Sequence, residues 1–143
     1  MVAKSWKNYG LQAIQNFTDN GLEHIFEGIK YPNISVGWHR FPSKTVTETY
    51  IVGGTKFSVD QYGLYTANVV INGVVKKGAG MSTFFPDNWS KQQVVDAINQ
   101  AFKVKTRPKI NNPDYWEGIL PSGMKIGGYT KNEKIITSFP VKQ

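Results

Sequence analysis

The sequence predicts an α+β domain, and three observations carry that reading. A stretch from about residue 90 to 103 has the apolar spacing of an amphipathic helix. A second stretch, 65–77, has the form of a β-hairpin around Asn72-Gly73. Most of the remainder is rich in β-branched and aromatic residues punctuated by glycine and proline, the pattern of short antiparallel strands. At 143 residues, 40% of them hydrophobic and 13% aromatic, the chain suits one globular domain with a core of its own.

Taken in order, residues 1–20 read as an N-terminal helical segment and 21–143 as the body of the domain. Trp6, Tyr9, Leu11, Ile14 and Phe17 make a ragged apolar stripe, consistent with a helix interrupted or ended near Gly10. Thr18-Asp19-Asn20-Gly21 reads as a turn. From Gly21 to Ser58, with breaks at Pro32, Pro42 and Gly53-Gly54, short strands and irregular loops are expected. Tyr65 to Ile71 and Val74 to Lys77 form the two arms of the hairpin, because Asn and Gly tolerate the positive φ of a type I′ turn. Ser82 to Phe85 is a further strand, stopped by Pro86. Ser90 then stands at an N-cap, Gln93 completes a capping box, and Val94, Val95, Ile98, Ala101 and Phe102 form a helical stripe fit to pack on a sheet. A basic, proline-broken loop over 103–113 leads to strands at Tyr115–Leu120 and Met124–Thr130, joined by Pro121-Ser122-Gly123. A turn at 131–134 leads to a last strand, Ile135 to Phe139.

Composition narrows the chemistry. Without cysteine there are no disulfides, thiol nucleophiles or thiolate metal sites. Apolar runs such as Asn68 to Ile71 fall far short of the ~20 residues of a membrane span, and no basic-then-apolar leader opens the sequence. Phosphate-binding loops, nucleophile elbows and His-Glu-x-x-His pairings are missing. Seventeen basic against ten acidic residues give a net charge of +7 and a pI near 9.6. That balance suits a polyanionic partner such as nucleic acid, or plain solubility.

The two histidines, His24 and His39, lie fifteen positions apart in what reads as strand and loop. Two imidazoles titrating near neutrality can act as general base and general acid when a ribose 2′-hydroxyl attacks the adjacent phosphate, with no metal or cofactor. Equally, each can be an ordinary surface or half-buried residue. Glu23, Glu27 and Glu48 offer a different chemistry, that of a carboxylate hydrolase on sugar polymers. A non-catalytic RNA- or polyanion-binding domain is the third reading.

Leu22-Glu23-His24-Ile25-Phe26-Glu27-Gly28 resembles the first histidine motif of EndoU-type endoribonucleases, and Val36-Gly37-Trp38-His39 resembles the second. Ser82-Thr83-Phe84-Phe85-Pro86-Asp87-Asn88-Trp89-Ser90 is similar to the strand-to-helix signature of the bacterial branch, and Ile135-Ile136-Thr137-Ser138-Phe139-Pro140 to the family's closing strand. The resemblance runs from about Gly21 to Val141. It implies an EndoU-like fold and cleavage of RNA 3′ of uridine to a 2′,3′-cyclic phosphate. It also implies His24 and His39 as the acid/base pair, Thr137 contacting base or phosphate, and a lysine that stabilises the phosphorane. Lys77 in Lys76-Lys77-Gly78 is the nearest candidate for that lysine, and also reads as a solvated charge at a hairpin end.

Phe139 stands where relatives carry Tyr and is expected to stack on a base. Ser82, Thr83, Arg40 and Trp38 are further expected substrate contacts, with Trp38 the stacking platform beside His39. Phe84, Phe85 and Trp89 are expected in the core, and the basic loop 103–109 on the RNA backbone. The bacterial branch supplies toxin domains of contact-dependent growth inhibition systems. The resemblance therefore implies delivery into the cytoplasm of a target bacterium, transfer RNA as a target, an acidic immunity protein as partner, and a monomer apart from that complex.

Overall fold

A computed structural model describes residues 10–41, 48–57, 59–76, 81–108 and 112–141. Its elements are α1 (Asp19–Phe26), β1 (Ile29–Lys30), β2 (Ser35–Val36), β3 (Tyr50–Ile51), β4 (Tyr65–Ile71), β5 (Val74–Val75), β6 (Met81–Phe84), α2 (Lys91–Lys103), β7 (Tyr115–Ile119), β8 (Lys125–Lys131) and β9 (Lys134–Val141). Every strand pairing is antiparallel, so the α+β expectation holds.

Among the described residues the strands form three sheets. β1 pairs with β2. β4 is the common partner of β3, β5 and β6, and β7, β8 and β9 follow one another in a meander. Alternation along β4 buries Tyr65, Ala67, Val69 and Ile71, which close on Trp38 and Phe84 as one core cluster. A larger cluster joins α1 and α2 to the inner face of the meander, with Leu22, Ile25 and Phe26 meeting Ile98, Trp116 and Ile126.

The helix expected over 90–103 is α2. Ser90 caps it, its hydroxyl accepting from the Gln93 amide at 3.1 Å while the Gln93 side chain accepts from the Ser90 amide at 2.7 Å. Val94, Val95, Ile98 and Ala101 are fully buried as their spacing requires. The Asn72-Gly73 turn also forms, both residues with positive φ.

The N-terminal half departs from expectation. Residues 10–18 contain no helix, and residues 1–9 lie outside the described residues. This stretch is instead stitched to β9. Phe17 bridges Ile135, the Ile135 amide donates to Asn16, and the Thr18 amide donates to the Ile135 carbonyl. The expected turn at Thr18–Gly21 is the start of α1, with the Thr18 hydroxyl accepting from the Gly21 amide at 2.8 Å. His24 therefore stands on a helix, not in the expected strand and loop.

Gly21 belongs to the helix because of what lies against it. A Cβ at this position would lie 2.4 Å from the Ile135 carbonyl oxygen, so the glycine is there to let α1 lie against β9 and not to turn the chain. In an ordinary helix, alanine stabilises relative to glycine by about 0.5–1 kcal/mol. Here Gly21→Ala is expected to reverse that sign and cost about 1–3 kcal/mol, the range for overpacking, in urea unfolding. A stabilised variant would show that α1 is not held this close to β9.

Candidate active site

α1 ends where the site begins. Its last carbonyls have no partners within the helix, and the loop after β2 supplies them. The Trp38 amide donates to the His24 carbonyl and the His39 amide to the Ile25 carbonyl, both at 2.7 Å. Two consecutive left-handed residues, Gly37 at φ +86° and Trp38 at φ +68°, aim those amides at the helix end. A Cβ on Gly37 would lie 2.2 Å from the His24 carbonyl oxygen, so only glycine permits the approach. The backbone thus ties the two histidines together, and their rings face each other with centroids 6.4 Å apart.

Each ring is then fixed by a second bond. His39 Nδ1 lies 2.7 Å from the Thr83 carbonyl on β6. A carbonyl only accepts, so Nδ1 carries the hydrogen and Nε2 is the nitrogen left for chemistry. His24 Nδ1 lies 2.7 Å from the Thr137 hydroxyl on β9. Thr137 reaches it because β9 carries an irregularity. Tyr129 pairs with Thr137 but Thr130 pairs with Ile135, which leaves Ile136 as an extra residue. Ile135 points into the core, whereas Thr137, two residues on, shares the cleft with Phe139. Regular pleating would have put Ile135 and Thr137 on one face.

Lys76 completes the group. It follows β5, bridges Ser35, and its ammonium donates to the Ser82 hydroxyl at 2.7 Å. That hydroxyl lies 2.5 Å from the Trp38 carbonyl, which links the lysine to the histidine loop. His24, His39, Lys76, Thr83, Thr137 and Phe139 line one cleft of about 480 Å³. Burial, with help from the Lys76 charge, lowers the His24 pKa to about 4 and holds His39 well below its usual range. Burial also brings Lys76 down to about 8. Two neutral imidazoles beside a cation, in a chain of net charge +7, make a cleft suited to a phosphodiester and to proton transfer around it.

The other expected site residues divide. The Phe139 ring lies 5.6 Å from that of His39 and lines the cleft, as does Thr83. Trp38, expected as a stacking platform, lies in the core. It is fully buried, edge-on to Phe84 at 5.2 Å, with its indole N–H donating to the Arg40 carbonyl at 3.0 Å. Arg40 does not line the cleft either, because its guanidinium donates twice to the Trp89 carbonyl at 3.1 and 3.2 Å. Ser82 is buried and acts through Lys76 and the histidine loop. Lys77 lies outside the described residues.

Phe84 and Phe85 are core, Trp89 packs against it, and Trp116 is buried against Phe102. In the basic loop, Arg107 donates to the Asp114 carbonyl and the Thr130 hydroxyl, and Lys105 sits over the Phe102 ring. Both cations are held by groups of the protein itself. Glu23 and Glu27 line a separate cavity of about 310 Å³. Among the described residues no three His, Asp or Glu side chains gather as a metal site would require.

The chain is similar to known proteins in two comparisons. A family model described as bacterial EndoU nuclease matches residues 18–142. A protein called "Toxin" from Bacillus cereus is 38% identical over 135 residues, which are 92% of this chain and 24% of that protein. The chain thus spans about a quarter of that relative's length. No solved structure matches the chain. The family match starts at the residue that caps α1 and takes in His24, His39, Lys76, Thr137 and Phe139, and the chain belongs to the bacterial EndoU nuclease family.

Proposed function

We propose that this chain is an endoribonuclease that needs no metal and works by transesterification. The observation that carries this reading is the convergence of His24, His39 and Lys76 in one cleft, each fixed by its own hydrogen bond. One imidazole removes the proton of a ribose 2′-hydroxyl and the 2′-oxygen bonds to the adjacent phosphorus. The bond from phosphorus to the 5′-oxygen breaks, and the other imidazole, protonated once the phosphodiester's negative charge has raised its pKa, gives its proton to that oxygen and becomes neutral. The products are a 2′,3′-cyclic phosphate and a 5′-hydroxyl. Lys76 stabilises the charge that builds on the phosphorane, Thr137 orients His24, and the Phe139 ring offers a face to a base.

Family membership favours uridine as the base 5′ of the cut. The Bacillus cereus relative's name favours a toxin, and we read its action as delivery into a target bacterium and cleavage of RNA such as transfer RNA in the cytoplasm there. A toxin of this kind calls for a cognate immunity protein. The basic character of the chain favours an acidic one.

In an assay with total bacterial RNA and EDTA, His24→Ala and His39→Ala are each expected to lower cleavage by about 10²–10⁴-fold, the usual contribution of a general acid or base. Lys76→Met is expected to lower it by about 10²–10³-fold, as for loss of one group that stabilises transition-state charge, while Lys77→Met retains activity. Cleavage indifferent to both histidines would refute the mechanism, and equal dependence on Lys77 would remove Lys76 from its role.

Imidazole signals in NMR titration supply a second check. His24 is expected to protonate near pH 4 in the free protein and to move up toward 6.5 in Lys76→Met, which removes the second cause of the shift. The unfolded chain protonates near 6.5, so the same group makes the fold less stable as pH falls from 6.5 through 4. A His24 titration unmoved by loss of Lys76 would contradict the electrostatics of the cleft.

A further inference from the structure

The cleft does not end at Thr137. On the far side of that residue lies a second cavity of about 280 Å³, lined by Asn112, Asp114, Tyr129, Ile136 and Thr137. Tyr129 and Thr137 belong to the walls of both. We propose that this second cavity is a subsite for the nucleobase of a nucleotide flanking the one that is cleaved. The proposal rests on the ribonuclease reading of the histidine cleft.

Three observations carry it. The first is a continuous aromatic surface leading out of the cleft. The Phe139 ring lies 5.6 Å from that of His39, Tyr129 lies 6.3 Å from Phe139, and Tyr115 lies 5.2 Å from Tyr129. Tyr115 stands directly opposite Tyr129, and Tyr129 opposite Thr137, across the three strands of the meander. All three rings are only partly buried, and the core lies on the other face of the sheet. Aromatic side chains on the open face of an antiparallel sheet are a stacking surface for single-stranded RNA, whose unstacked bases splay outward.

The second observation is the polar end of the cavity. The Asn112 side-chain oxygen accepts from the Asp114 amide at 2.9 Å, and among the described residues its NH₂ has no acceptor. Among the described residues the Asp114 carboxylate has no partner, because Arg107 and Thr130 bind its backbone carbonyl instead. A donor beside an acceptor matches the edge of a nucleobase, which presents both kinds of group.

The third is charge. A carboxylate at this end repels phosphate, so the backbone of a bound strand stays at the Lys76 side of the cleft and the base is what enters. The β9 irregularity builds the cavity wall as well, since Ile136, the extra residue, is part of its lining.

The test uses trinucleotides with the cleavable uridine in the middle, intact or with an abasic residue at either flank. In the wild type, removing the base at one flank is expected to lower kcat/KM by about 5- to 150-fold, the range for one stacked base. That ratio of intact to abasic substrate is expected to fall toward one in Tyr129→Leu. It should shrink part of the way in Asp114→Ala, a change at an exposed position before β7 that leaves the sheet intact even if the Tyr129 variant fails to fold. Wild-type cleavage with no abasic penalty at either flank would overturn the subsite while leaving the ribonuclease reading in place. So would a penalty that persists undiminished in Asp114→Ala. Failure of the wild type to cleave any of the RNAs would bring down the ribonuclease reading and this proposal with it.

Discussion

Two backbone hydrogen bonds at the end of α1 hold the functional architecture together. The amides of Trp38 and His39 cap the carbonyls of His24 and Ile25, which satisfies the helix end and sets the separation of the two imidazoles in one step. The approach depends on Gly37, which has no room for a Cβ. It also depends on Trp38 in a left-handed conformation that costs a non-glycine residue energy. Burial of the Trp38 side chain among Phe84, Tyr65 and Ile71 supplies the packing that holds this strained residue in place. The tryptophan serves the site from beneath, as the anchor of the histidine loop.

The sheets bring the remaining groups to this pair. β6 contributes the Thr83 carbonyl that sets the His39 tautomer, and the Ser82 hydroxyl that ties Lys76 to the loop. β9 contributes Thr137 and Phe139 through its one irregular residue. The lining of the cleft therefore comes from α1, both β4-sheet and meander strands, and the loop between β2 and β3. Burying two imidazoles beside an ammonium makes all three groups harder to charge. Such a cleft gains from an incoming phosphodiester, whose negative charge restores favourable protonation.

What was legible in the sequence was local. The Ser90–Gln93 capping box, the stripe of α2 and the Asn72-Gly73 turn are complete within a few residues, so the sequence reveals them without knowledge of the fold. α1 was not legible, because eight residues that include Asn20 and Gly21 carry too little periodicity, and what selects the helix is contact with Ile135 and the amides of Trp38 and His39. The histidine motifs marked His24 and His39 as candidates, and the cleft brings them together. The neighbouring lysines show the limit most sharply. Nothing local in the Lys76-Lys77 pair marks which of the two belongs to a site. Only the bridge from Lys76 to Ser35 and the bond to Ser82 place Lys76 in the cleft. The surroundings of Arg40 and Trp38 are equally hidden from the sequence, since their partners Trp89 and Phe84 lie more than forty positions away.

In the proposed reaction the ribose itself supplies the nucleophile, with the histidines moving its proton. The most direct measurement compares an RNA oligonucleotide carrying one cleavable uridine with the same oligonucleotide bearing a 2′-deoxy sugar at that nucleotide alone, with product ends identified by mass spectrometry. The all-ribose strand is expected to yield a 2′,3′-cyclic phosphate and a 5′-hydroxyl, and the 2′-deoxy strand to resist cleavage at that position. Cleavage of the 2′-deoxy strand there, or a 5′-phosphate on the product, would contradict that reaction.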